Sequence, residues 1–221
     1  MGESRAGLTL PLLHPGRLLL TLLLLLALGW QWGSALGIAL KAELAQVLIE
    51  RAWQQKLQAP DVHAAPWPWA DTQPVARLQW LDESAQVQAD LFVLSGTHGS
   101  ALAFGPGLLD GFEHRGARIL GGHRDTHFAF MRHLQKGDRL RWQGASGDWQ
   151  TYVISERRIA DSRAGLLKVD ADADSLWLVT CYPFDAIRPG GPLRYVVRAD
   201  SLADYVAAQM PLENGRYQVR L

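Results

Sequence analysis

Hydrophobic and polar positions divide the chain into three regimes. From Leu18 to Leu40, "LLLTLLLLLALGWQWGSALGIAL", there is no charged residue. Wound as a helix, that segment spans about 35 Å, enough to cross a bilayer. In residues 41–58, "KAELAQVLIERAWQQKLQ", Leu44, Val47, Leu48 and Trp53 recur at helical spacings among good helix formers, which predicts a juxtamembrane helix. The helix must stop before "APDVHAAPWPWADTQP", where prolines at 60, 66, 68 and 74 prevent regular structure and leave a linker or a docked strap. Trp67 and Trp69 are expected to anchor that strap or to sit at the membrane interface.

From Val75 the pattern changes to short apolar runs closed by Gly, Asp and Ser: "VARLQW", "ADLFVLSG", "ARILGGH", "DRLRWQ", "WQTYVISERRI", "SLWLVTC" and "LRYVVRAD". Each has strand length and is rich in Val, Ile, Leu and aromatics, so seven or eight strands in a β-barrel or sandwich are expected. "HFAFMRHLQKG" predicts one or two helical turns ending at Gly137. The region is one ordinary domain without internal repeats. The organisation expected is a cytoplasmic tail (1–17), a transmembrane signal anchor (18–40), a juxtamembrane helix and Pro/Trp-rich strap (41–74) and a mostly β domain (75–221).

A cleaved signal peptide competes with the anchor, because small residues follow the leucine block at Gly33, Ser34 and Ala35. Retention is favoured by the apolar character that continues to Leu40. Basic residues flank both sides, and their count does not decide orientation. Arg17 set against the leucine block fits a signal anchor, which puts residues 41–221 outside the cytoplasm.

Charge narrows the partners. With 22 basic and 22 acidic residues the formal net charge is zero, so no broad basic field recommends nucleic acid. The single cysteine, Cys181, excludes an internal disulfide and a cysteine-based metal cluster, although an exported chain could use disulfides freely. No metal or cofactor is expected. The acidic run "VDADADS" lacks EF-hand spacing and is expected to be a solvated turn.

Cys181 ends an apolar run in "LVTCYPF", just before Pro183, where three readings of a thiol are open: filler, a crosslinking handle or a nucleophile. Nucleophilic chemistry needs a thiolate, a proton donor for the leaving group and a partner for the oxyanion. His123 in "LGGHRDTHFAFM" follows an apolar strand and two glycines, Gly121 and Gly122, that admit close backbone approach. Arg194 in "PLRYVVRA" lies on the strand after the Cys strand, where alternation places Arg194, Val196 and Arg198 on one face. Asp125 and Thr126 are expected to order the loop behind His123.

Taken together, "LGGHRDT", "LVTCYPF" and "LRYVVRA" resemble the sortases, cysteine transpeptidases of bacterial surfaces. That family carries a His after a strand, a strand ending in Leu-x-Thr-Cys and an Arg on the next strand. Here Cys181 follows His123 by 58 residues and Arg194 follows Cys181 by 13, which suits the family. "ALAFGPGLL" is similar to the loop and strand preceding the His strand. The "TCYPF" form, the Trp-rich strap and the lack of an apolar C-terminal segment are most similar to the Gram-negative, marine proteobacterial type called class GN. Trp177 is a departure, standing where the fuller family signature commonly has Thr.

The resemblance implies an eight-stranded sortase-type β-barrel with short helices. It also implies a catalytic set of Cys181 as nucleophile, His123 as general acid and base and Arg194 for the oxyanion, with Gly122, Asp125 and Thr180 in support. The implied substrate is a surface protein with a Leu-Pro-x-Thr-Gly-like sorting signal, cleaved between Thr and Gly and joined to an amine acceptor that the sequence does not identify. Implied, too, is an inner-membrane location with the domain on the periplasmic side. Three alternatives stay open: an L,D-transpeptidase, whose Ser-x-Gly-Cys motif "LVTCYPF" does not fit; a cysteine protease or amidase releasing product to water; and a non-catalytic envelope binding module.

Overall fold

The computed structural model describes residues 15–111, 116–165, 167–170, 172–188 and 190–209. The chain forms two compact units, residues 1–44 and 45–221. Helix α1 (Pro15–Gln58) supplies the described part of the first. Its leucines from Leu18 to Leu44 are all exposed, Leu18 at 52% and Leu26 at 62% for example, and it is the one described helix long and apolar enough to cross a membrane. A helix apolar all round and unburied by protein needs a lipid-like environment, a property that signal sequences share.

In the second unit the last turns of α1 change character. Ile49 and Trp53 are fully buried, and Ile49 packs with Leu94 and Ala101 against Trp67, Phe92 and Phe104. The strap that follows has no regular structure, as four prolines dictate, yet it is docked. The Thr72 hydroxyl donates to the Ser95 carbonyl (2.8 Å), and Trp67 meets Phe104 edge-on at 5.1 Å. Trp69 is 82% exposed and anchors nothing within this unit.

Eight strands close a barrel: β1 (Pro74–Leu81), β2 (Val87–Ser95), β3 (Gly107–Leu108), β4 (Ala117–Gly121), β5 (Arg139–Gln143), β6 (Trp149–Asp161), β7 (Ser175–Cys181) and β8 (Leu193–Ser201). Their order is β1-β2-β3-β4-β7-β8-β6-β5, which resolves barrel against sandwich in favour of the barrel. Closure leaves no edge strand to template association. Alternation sends Leu78, Val93, Leu120, Ile154, Leu176 and Leu178 into the interior. Phe128, Met131 and Leu134 complete that core.

Several expectations need correction. The helix predicted to run to Gly137 is a 3₁₀ helix over Ala129–His133. Phe128, Met131 and Leu134 serve the core at a spacing of three, the 3₁₀ repeat, and Gly137 (φ +98°) instead makes the turn into β5. The short helices that the resemblance implies, without placing them, include α2 (Gly99–Phe104) and α3 (Leu202–Gln209). The acidic run is not wholly a solvated turn. Asp174 accepts hydrogen bonds from Arg118 (3.1 Å) and from the fully buried Tyr152 (2.7 Å). Burial and the neighbouring Asp174 carboxylate push the Tyr152 phenol well above its ordinary range.

Candidate active site

β4 and β7 are parallel neighbours, with Gly121 registered on Val179. Two further backbone steps lead to His123 beyond β4 and to Cys181 at the end of β7. The pairing continues beyond the strand end, since the Gly122 N–H donates to the Val179 carbonyl (3.2 Å) and the Thr180 hydroxyl donates to the Gly122 carbonyl (2.7 Å). Thr180 is 2% exposed and Gly122 half-buried, so this bond is partly shielded from water and ties the stem of His123 to the strand that carries the thiol. Gly122 is required there: a Cβ would lie 2.6 to 2.9 Å from the buried Phe128 ring.

β7 and β8 are antiparallel, and Cys181 stands directly opposite Arg194. Partners directly opposite project to the same face. That face is the outer one. Trp177, Val179 and Val196 share it, in a second apolar cluster with Ala117, Ile119, Leu167 and Val169. The expected alternation of Arg194, Val196 and Arg198 is thereby realised, and the Arg198 guanidinium lies 5.4 Å over the Trp177 ring. Trp177 itself is 4% exposed, its indole N–H donating to Ser175 Oγ at 3.1 Å.

Two adjoining depressions open on this outer face. One, of about 540 Å³, is lined by Thr97, Leu109, Ile119, Gly121, Val169 and Val179 among others. The other, of about 500 Å³, reaches Arg194 along Ile159, Ala164 and Val196. Leu167 and Val179 belong to both, so together they make a largely apolar trough that reaches Arg194, the residue paired across the ladder with Cys181; neither Cys181 nor His123 lines it.

Cys181 is a free, half-buried thiol and His123 is exposed. Arg194 is half-buried, and its Nη1 donates to the carbonyls of Gly191 (2.6 Å) and Leu193 (2.9 Å). The chain beyond the thiol turns through a cis Tyr182–Pro183 bond and is held by aromatic contacts. The Tyr182 and Tyr195 rings stack at 6.2 Å, and Phe184 meets Tyr195 edge-on at 5.3 Å.

Thus Gly122, His123, Thr180, Cys181 and Arg194 come together at one end of the barrel. Asp125 does not join them: its carboxylate is 67% exposed and pairs with Arg124 at 3.3 Å. The Thr126 N–H donates to the His123 carbonyl (3.4 Å), so it orders the loop through backbone rather than through its hydroxyl. Sequence reasoning passed over two neighbours. His127 is half-buried and hydrogen-bonded to the Ala103 backbone, with desolvation, and then the charge of His123, holding its pKa below the usual imidazole value. Arg124 is buried beneath the site. Among the described residues no group of three or more His, Cys, Asp or Glu side chains is arranged to hold a metal ion.

A closed barrel with a strand-end cysteine, an arginine across the ladder and a histidine on the parallel neighbour defines a class of thiol enzyme scaffold. A sortase-domain family model matches residues 84–202, more than half of the chain. The chain belongs to the sortase family. It is 33% identical over 119 residues to Sortase D of Bacillus subtilis (strain 168), a match covering 52% of this chain and 59% of that relative's length. In fold it is similar to a Clostridium perfringens Sortase D5 transpeptidase (TM-score 0.54, 17% identity, 72% of this chain and 99% of that one). A lid mutant of Sortase A from Corynebacterium diphtheriae is similar as well (TM-score 0.50, 18% identity, 72% of this chain and 94% of that one).

Proposed function

We propose that the protein is a membrane-anchored cysteine transpeptidase that cuts a Leu-Pro-x-Thr-Gly-like sorting signal between Thr and Gly and transfers the acyl part to an amine. The observation that carries this is the cross-strand pairing of Cys181 with Arg194 at the end of an apolar trough, beside a backbone-tethered His123. An extended peptide suits a trough walled by Ile119, Val169, Val179 and Val196 with Arg194 at its margin.

The Cys181 thiolate attacks the Thr carbonyl carbon, and the carbonyl electron pair moves to oxygen. Arg194 donates to that oxyanion after exchanging the Gly191 and Leu193 carbonyls it holds in the free enzyme. Collapse of the intermediate breaks the C–N bond as the His123 imidazolium protonates the glycine nitrogen, leaving a Cys181 thioester and a neutral imidazole. The acceptor amine then adds to the thioester and gives its proton to His123. Thiolate departs, a new amide remains and the starting protonation states are restored. A strand end suits the nucleophile because its Cα is fixed by the ladder, and a displacement of about 1 Å costs on the order of a hundredfold in rate.

The finer assignments belong to the same reading. The "TCYPF" form and the Trp-rich strap support the class GN type, and the apolar length of α1 behind Arg17 supports an inner-membrane anchor with the barrel in the periplasm. Labelling of Cys181 by a membrane-impermeant thiol reagent from the periplasmic side alone is the result expected of that orientation.

The main test uses the full chain in detergent micelles, wild type and Cys181→Ala, with a Leu-Pro-x-Thr-Gly peptide library and an amine acceptor, products being read by mass. Cleavage after Thr with the amine joined, absent in the variant, is expected. Cleavage by water alone would make the protein a hydrolase. A folded chain that gives neither thioester nor product would overturn the mechanism.

A further inference from the structure

The reaction proposed above makes no use of Arg124, yet the structure invests heavily in it. Its side chain is only 7% exposed. A guanidinium keeps its charge at any ordinary pH, and burying one is costly unless its donors are met. Here three hydrogen bonds meet it, two of them to one short stretch of chain. Nη1 donates to the Pro183 carbonyl (2.9 Å), Nη2 to the Ala186 carbonyl (2.7 Å) and Nε to Asp125 Oδ1 (3.3 Å).

The position of these bonds matters more than their number. Arg124 is the residue after His123, and Pro183 and Ala186 lie two and five residues after Cys181. On the strand side, the segment bearing His123 is tied to the segment bearing Cys181 through Gly122, by the Val179 carbonyl and the Thr180 hydroxyl. On the loop side the only hydrogen-bonded tie between the two segments among the described contacts is the Arg124 fork. The two ties bracket His123 and Cys181. Lysine could not reproduce the second, because a single ammonium reaches two separated carbonyls poorly whereas the planar fork presents two N–H groups at once.

We propose that Arg124 is a positioning residue of the active site: by clamping the Pro183–Ala186 turn to the chain just after His123, it holds the imidazole at working distance from the Cys181 thiol. This rests on the reading that His123 and Cys181 act as a pair. A staple with no catalytic consequence would stabilise the loop equally, so the test must read the pair and not only the fold.

Alkylation of Cys181 by iodoacetamide reads the pair without any knowledge of the substrate. Its rate is measured on the full chain in detergent between about pH 5 and 9, the range in which His and Cys titrate. The chains compared are wild type, His123→Ala, Arg124→Met, Arg124→Lys and the His123→Ala/Arg124→Met double variant, each with thermal unfolding and peptide turnover alongside. The wild-type profile is expected to carry an inflection that His123→Ala removes. Arg124→Met should flatten that inflection and lower kcat on the order of tenfold to a hundredfold with little change in KM. Arg124→Lys should recover part of both, and in the His123→Ala background Arg124→Met should change the profile no further.

A folded Arg124→Met chain that keeps the His123-dependent inflection and its kcat overturns the proposal. So does an equal effect of Arg124→Met with and without His123. Should Arg124→Met fail to fold, Arg124→Lys decides: an intermediate profile supports the role, and a wild-type profile overturns it. A wild-type profile indifferent to His123 removes the pair itself, which distinguishes failure of the underlying reading from failure of the role given to Arg124.

Discussion

At the scale of single residues, Gly122 shows how tightly the His123 stem is fitted. The ring a methyl group would strike belongs to Phe128, which is fully buried and cannot swing into solvent. Gly122→Ala should therefore destabilise the fold by about 1–3 kcal/mol, the usual cost of overpacking. It should also lower turnover, because relief comes from displacing the His123 stem; denaturant unfolding and peptide cleavage measure the two effects. His127 makes a prediction about pH. Its folded pKa lies below the ordinary 6.5, chiefly through desolvation, so between the two values the unfolded chain binds a proton that the folded chain does not. Unfolding free energy then rises with pH in that window, and the contribution of a neutral His127 is complete above about pH 6.5 and is lost as pH falls below it. His127→Gln keeps a donor for the Ala103 backbone and should flatten this part of the stability profile, as urea unfolding between about pH 5 and 8 would record. The sequence singles out Cys181, His123 and Arg194 as candidates because each is a chemically distinctive residue at the end of a recognisable strand, and strand register brings their backbone positions together. Arg124 is not singled out, since in "HRDTH" it stands among polar neighbours and reads as solvated; its burial follows from carbonyls about 60 residues away in sequence.

At the scale of elements, legibility followed length. Seven strands were visible because five or more residues of apolar runs or alternation separate cleanly from turn signals. β3, with two residues, carries no periodicity at all, and its strand character comes from pairing with β2 and β4. Six-residue α2 is likewise too short to show a repeat and is held from outside, the Gln46 side chain donating to the Phe104 carbonyl at 2.9 Å. That bond and the cluster around Ile49 make the end of α1 part of the barrel's packing and not a spacer. Ile49→Ala should accordingly cost about 2–5 kcal/mol, as a buried truncation does, although Ile49 precedes the first strand by 25 residues. Thermal unfolding that leaves Ile49→Ala indistinguishable from wild type would show that this helix end contributes nothing to the domain.

At the scale of the whole molecule, the barrel separates stability from chemistry along the β7 axis. Asp174, just before β7, belongs to the Arg118–Tyr152–Asp174 network, and Cys181 ends the strand; at about 3.3 Å per residue the two lie about 23 Å apart. Tyr152→Phe removes a buried hydroxyl that bonds both Arg118 and Asp174, and should cost about 1–3 kcal/mol. Thr180→Val removes one hydrogen bond and should cost about 1 kcal/mol. On stability the two changes therefore resemble each other, and at this separation their costs should add in the double variant. On activity they should part. Tyr152→Phe leaves every contact around His123 and Cys181 in place and should keep turnover within about twofold, whereas Thr180→Val releases the Gly122 stem and should lower kcat on the order of tenfold. The double variant should then turn over at the rate of Thr180→Val alone while unfolding at the lower temperature set by both. Equal activity losses in the two single variants, at equal folded fraction, would mean that the far end of the barrel controls the site, and the division proposed between scaffold and chemistry would fail.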